Sequence, residues 1–128
     1  MLASPMQLFT LVPRRWYAAE LIGDAFGDSV RSYSPIRVDG IKPLGTGSGE
    51  LLLDFFHANY PEGVRSKSYR LQVLERQTRF VLARSLDHTP TQLLLVYEPT
   101  WDWLKRHFDL ANEDPNIDLQ IFMEQRCR

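Results

Sequence analysis

The stretch Glu50-Leu-Leu-Leu-Asp-Phe-Phe-His57, the loop Ala58-Asn-Tyr-Pro-Glu-Gly-Val-Arg-Ser-Lys67 and the run from Tyr69 on to Leu86 decide how the chain is read. In the first run Leu51, Leu53, Phe55 and His57 point one way and Leu52, Asp54, Phe56 and Ala58 the other, the period of two that an extended chain imposes. Both sides are apolar apart from Asp54, so the strand is covered on both faces and that carboxylate must be paired or wet. In the second run Tyr69, Leu71 and Val73 alternate with Arg70, Gln72 and Leu74. The polar gap Glu75-Arg-Gln-Thr78 then turns the chain into a return strand through Phe80, Val81 and Leu82, which reads as a hairpin.

Downstream, the turn Asp87-His-Thr-Pro-Thr91 leads to another covered strand, Leu93-Leu-Leu-Val-Tyr97, which Pro99 ends. Upstream, Gly45-Thr-Gly-Ser-Gly49 is a turn whose glycines allow positive φ. It lacks the Gly-Lys-Ser/Thr ending of a P-loop and leads into a strand rather than a helix. Residues 16–26 fit a helix or a strand. The strand is preferred, because Tyr17, Ala19 and Leu21 then share a side and 31–41, with Tyr33, Ile36 and Val38, supplies a hairpin partner. Pro35 would put that partner at an edge or a bulge. Leu8 to Val12 is a short apolar run stopped by Pro13.

Trp101 to Leu110 is the clearest helix: Thr100 serves as N-cap, Asp102 suits the first turn, Lys105, Arg106 and His107 lie near the end, and Trp101, Leu104 and Phe108 make an apolar stripe. Ile117, Leu119, Ile121 and Met123 alternate with Asp118, Gln120 and Glu124, giving a last strand or a frayed tail. Residues 1–7 and 124–128 are expected to be loose. The expectation is a single mainly β (α+β) domain, 1–128: an antiparallel meander of about six strands, as an open sheet or a small barrel, with a helix at about 100–110.

A length of 128 residues suits one domain with its own core. The net charge of −1 gives no global field, which argues against a strongly basic nucleic-acid binder or a polybasic membrane-surface protein. Of the 15 basic residues only Lys42, Lys67 and Lys105 are lysines, a bias that base composition of the genome produces without any change of function. The single cysteine, Cys127, can make no intramolecular disulfide. His57, His88 and His107 lie far apart without metal-ligand spacing, so neither metal nor cofactor is expected. There is no apolar run near the roughly 20 residues that span a bilayer. The first residues lack the basic-then-apolar pattern of a signal peptide, so a cytoplasmic protein is expected.

Chemistry concentrates at the loop. His57 with Tyr60, Glu62, Arg65 and Lys67 combines a group titrating near neutrality with two cations for an anion, although Tyr-Pro-Glu-Gly is also simply a good turn. Arg65, Lys67, Arg70, Arg76, Arg79 and Arg84 form a basic strip, which is expected to be either neutralised within the molecule by the acidic residues Asp109, Glu113, Asp114 and Asp118 or simply solvated. Asp54, Glu98 and Asp102 are a weak candidate for paired hydrolytic carboxylates. Trp16, Tyr17, Trp101 and Trp103 are a candidate lining for a barrel mouth. No GxSxG elbow is present, and Cys127 near the chain end is a poor nucleophile candidate. The leading expectation is a non-catalytic module, monomeric or homodimeric, that binds a small ligand or a protein partner through His57, Tyr60, Arg65 and Lys67. The alternative is a small hydrolase or isomerase with His57 as general acid/base oriented by Asp54 or Glu20. A third is weak nucleic-acid or phosphate binding through the stretch from Arg65 to Arg84.

Overall fold

Alternating apolar side chains produce strands over most of the chain, and the strands close on themselves. The computed structural model describes residues 8–25, 28–45, 47, 49–58, 66–89, 91–110, 113–114 and 116–127. The strands are β1 (Trp16–Ala25), β2 (Asp28–Leu44), β3 (Glu50–His57), β4 (Ser66–Arg76), β5 (Phe80–Ser85) and β6 (Gln92–Tyr97). Each pairs antiparallel with the next, and β6 returns to β1, so the sheet is a closed barrel without free edges. The two helices α1 (Trp101–His107) and α2 (Leu119–Arg126) follow. Of the two forms expected from the sequence the closed barrel is what forms, and residues 16–25 are strand.

Pro35 sits where its missing donor does least harm. Its carbonyl accepts the Ala58 N–H at 3.2 Å, at the point where the β2–β3 ladder runs out. The bulge in β2 falls instead between Val38 and Gly40. A Cβ at Gly40 would come within 3.3 Å of an Asp54 carboxylate oxygen, so the glycine lets that side chain lie across the strand. The turn before β3 uses its glycines as expected, with Gly45 at φ 72° and Gly49 at φ 72°.

One face of each strand fills the barrel. Tyr17, Val38, Leu53, Leu71, Ala83 and Val96 form one buried layer, and Ala19, Ile36, Phe55 and Leu94 belong to the next. The apolar run before Pro13 is not a strand. Phe9 from that run is buried, its N–H donates to the Gln77 carbonyl at 2.8 Å, and its ring meets Tyr17 edge-on at 5.6 Å. It plugs the lower end of the barrel.

A second core lies outside the wall. Trp16 and Ala18 of β1 and Phe56 and Ala58 at the end of β3 pack against Trp103 and Leu104 of α1 and Phe122 and Met123 of α2. The last segment is therefore a helix, where the sequence suggested a strand or a frayed tail. Asp118 caps it by accepting the N–H groups of Gln120 at 2.9 Å and Ile121 at 3.2 Å. The adjacent pair Phe122 and Met123, both buried, breaks the alternation that a strand requires. The Gln120 amide accepts from Trp16 N–H at 2.7 Å and donates to Trp16 C=O at 2.8 Å, standing in for a neighbouring strand. Residues 124–127 are held rather than loose, since α2 runs to Arg126 and Cys127 is buried, and burial pushes its thiol up to about 11; residues 1–7 and 128 lie outside the described residues. The α1 helix forms as read from its sequence, with Thr100 accepting the Trp103 N–H at 3.1 Å.

Leu53→Ala is expected to lower unfolding free energy by about 2–5 kcal/mol by chemical denaturation, whereas Ile121→Ala, on the exposed side of α2, should change it by less than about 0.5 kcal/mol. Cys127 should react with a thiol reagent at mildly alkaline pH far more slowly in the native protein than after unfolding.

Candidate functional site

The register determines which inward-facing side chains share a level. Ala19 pairs with Ser34, Ile36 with His57, Phe55 with Lys67 and Gly23 with Gln92. In a tilted closed sheet each neighbour is displaced along its strand. Ser34, His57, Lys67 and Gln92 therefore fall together in the layer above Ala19, Ile36, Phe55, Tyr69 and Ser85. This is the upper end, opposite the Phe9 plug. Among the described residues the buried polar ones are Ser34 at 1% exposure, His57 at 4%, Ser85 at 5% and Glu20 at 8%, and the first three gather here.

An aromatic path supports them. The Phe55 ring meets Tyr69 edge-on at 5.2 Å and lies 6.4 Å from the His57 ring, while Tyr69 lies 4.5 Å from His88. Ser85 Oγ is hydrogen-bonded to His88 Nδ1, which fixes the imidazole of the β5–β6 turn. Gly23 opposes Gln92, and a Cβ there would approach Gln92 Cγ to 3.4 Å. Burial, and then the charge of Lys67, hold the pKa of His57 below its ordinary value. His57 is thus a neutral imidazole at pH 7, able to donate from one nitrogen and accept at the other.

Of the sequence-derived site residues, His57 and Lys67 come together at this end, and Tyr60 and Arg65 lie outside the described residues. Ser34, Ser85, His88 and Gln92 were missed. Each is unremarkable in its own segment and only cross-strand register brings it to His57.

Several expectations are corrected. Asp54 points outward, is exposed, and accepts a hydrogen bond from Ser68 at 2.5 Å. Glu20 is on the outer face of β1, 3.5 Å from Arg31. Neither carboxylate orients His57, because both lie across the sheet wall from its ring. Asp54, Glu98 and Asp102 form no catalytic pair: Glu98 bonds Arg15 at 3.0 Å and Asp102 sits in the first turn of α1. The ion pairs shown do not join the basic strip to the acidic C-terminal stretch. Arg70 lies 3.3 Å from Asp87 and Arg84 bonds Gln72, whereas Glu113 pairs with Arg126 and Asp118 caps α2. Trp16 is outside the barrel, donating from Nε1 to Glu124 at 2.7 Å, and Tyr17 is inside it, so the aromatic set does not line one mouth.

Among the described residues no group of three or more His, Cys, Asp or Glu side chains is placed to hold a metal, and no helix is long and apolar enough to cross a membrane. No protein-family model, curated protein or solved structure matches the chain.

The depressed pKa of His57 makes stability pH-dependent. Below the unfolded value of about 6.5 the unfolded chain binds a proton that the folded chain resists, so the contribution of neutral His57 is full above that pH and is lost as pH falls toward its folded pKa. The melting temperature of the protein should fall as pH is lowered below about 6.5. A His57→Gln variant should show a flatter profile over the same window, and equal slopes would remove the assignment.

Proposed function

We propose that this chain is a non-catalytic binding module that takes a small anionic ligand, bearing a carboxylate or phosphate, at the polar upper end of its barrel. The observation that carries this reading is the gathering of Ser34, His57 and Ser85 inside that end, with Lys67 beside them, in an interior that is otherwise apolar. The mouth of a β-barrel is a recurrent place for a ligand. Lys67 supplies positive charge, the His57 imidazole supplies a donor, and the described inward residues of this end include no carboxylate to repel an anion.

An anion seated beside Lys67 and His57 favours protonated His57, so binding takes up a proton and affinity rises as pH falls through the titration of the complex. Inorganic phosphate and citrate are suitable calorimetric probes. Binding should be tighter at pH 6 than at pH 8 once the titration of the ligand itself over that range is subtracted; Lys67→Gln should weaken it about tenfold, the equivalent of about 1.4 kcal/mol. His57→Gln should remove the protein's share of the pH dependence. Equal affinity of wild type and Lys67→Gln for both probes, or no binding of either, overturns the reading.

A further inference from the structure

Beside the second core, which Tyr97 touches at one end, the outer wall of β5 and β6 is uncovered by the described residues. On the outer face of β5 and β6, Phe80, Leu82, Leu93, Leu95 and Tyr97, with Ile22 of β1, are half-buried and floor a groove of about 850 Å³. The register makes the floor continuous: Phe80 pairs with Tyr97, Leu82 with Leu95, and Ile22 with Leu93. An outer wall facing water would instead alternate with polar side chains, and an apolar stripe of this length marks an interaction surface.

Four charges rim the floor, Glu75 and Arg79 on the β4–β5 side and Arg31 and Glu98 on the other. Their order along the strands alternates. Glu75 is level with Leu82 and Arg79 follows the hairpin just beyond Phe80; Arg31 is level with Ile22 and Glu98 lies just beyond Tyr97. The rim has no net charge, so it selects neither an anion nor a cation, but it is complementary to itself.

We infer that a second copy of this chain packs on this groove as a twofold dimer. A twofold contact uses the same patch on both copies. Turning one copy about an axis that lies in the interface, across the strands, sets Glu75 toward the second copy's Arg79 and Arg31 toward the second copy's Glu98. Within one copy Glu98 lies 3.0 Å from Arg15, a pair exposed on both sides that exchanges partners at little cost, whereas Arg31 keeps its contact with the buried Glu20 at 3.5 Å and offers its remaining guanidinium N–H groups to the second copy. The two apolar floors then exclude water from each other. This surface is separate from the polar end of the barrel and does not depend on it.

Sedimentation equilibrium over about a hundredfold range of protein concentration tests the inference, since a dimer is governed by mass action. The wild type should dimerise. Leu95→Lys, folded by circular dichroism, should be monomeric, and Arg79→Glu should weaken association about tenfold, with the double variant Glu75→Arg/Arg79→Glu recovering it, because inverting both signs keeps the rim complementary to itself. The charge variants decide the matter if Leu95→Lys fails to fold. A wild type that stays monomeric throughout, a dimer indifferent to both Leu95→Lys and Arg79→Glu, or a double variant no stronger than Arg79→Glu would each overturn it. So would a monomer whose groove takes up anilinonaphthalene sulfonate in a Leu95-dependent way, which would assign the groove to a small apolar ligand instead.

Discussion

The pairing of β6 back onto β1 is the constraint on which the structure depends. Ala18 opposite Tyr97 and Leu21 opposite Leu94 complete the ring, and once it is closed every strand residue is committed to the inside or the outside. A one-residue slip would exchange the two faces along a whole strand, so burial on both sides pins the register. The barrel interior takes Tyr17 and Ala19 while their neighbours Trp16 and Ala18 anchor the helices outside. Two cores thus share one wall. The double covering explains why the end of the β3 run, Phe55 to Ala58, is apolar on both sides.

The same commitment separates groups that are neighbours in sequence. His57 and Asp54 stand three residues apart on β3, and an imidazole and a carboxylate at that spacing suggest a catalytic pair. The pleat sends one inside and the other into solvent, where Ser68 satisfies it. Conversely, closure gathers groups distant along the chain. Ser34, His57, Lys67 and Ser85 come from four strands and meet only because the inward face of each reaches the same end. What this end offers is a neutral imidazole, hydroxyls and one cation, a set that suits recognition of an anion more than the movement of protons between paired groups.

The outer wall is divided unequally. Around Trp16 it is sealed by α2, whose Gln120 side chain continues the backbone bonding of β1 where no strand lies alongside. Around Glu20 the covering thins, and burial followed by the nearby carboxylate raises the pKa of the Tyr97 phenol. Beyond Tyr97 the floor of the groove carries aliphatic side chains with no element of the described chain over them. Small barrels usually avoid such exposure, and here its mixed rim of charges distinguishes it from a random apolar patch.

The sequence by itself determined the strands, their order and the α1 helix, because period-two alternation, glycine turns and the Thr100 cap are local signals that closure only reinforced. It also singled out His57 and Lys67. Only the tertiary structure decided that the last segment is a helix, since its alternation is imperfect and the deciding contacts, Gln120 and Glu124 with Trp16, span more than a hundred residues. Register likewise decided the company His57 keeps. A strand's sequence tells which residues share a face; which residue of the next strand lies beside them depends on closure of the whole ring, a property that no single segment contains.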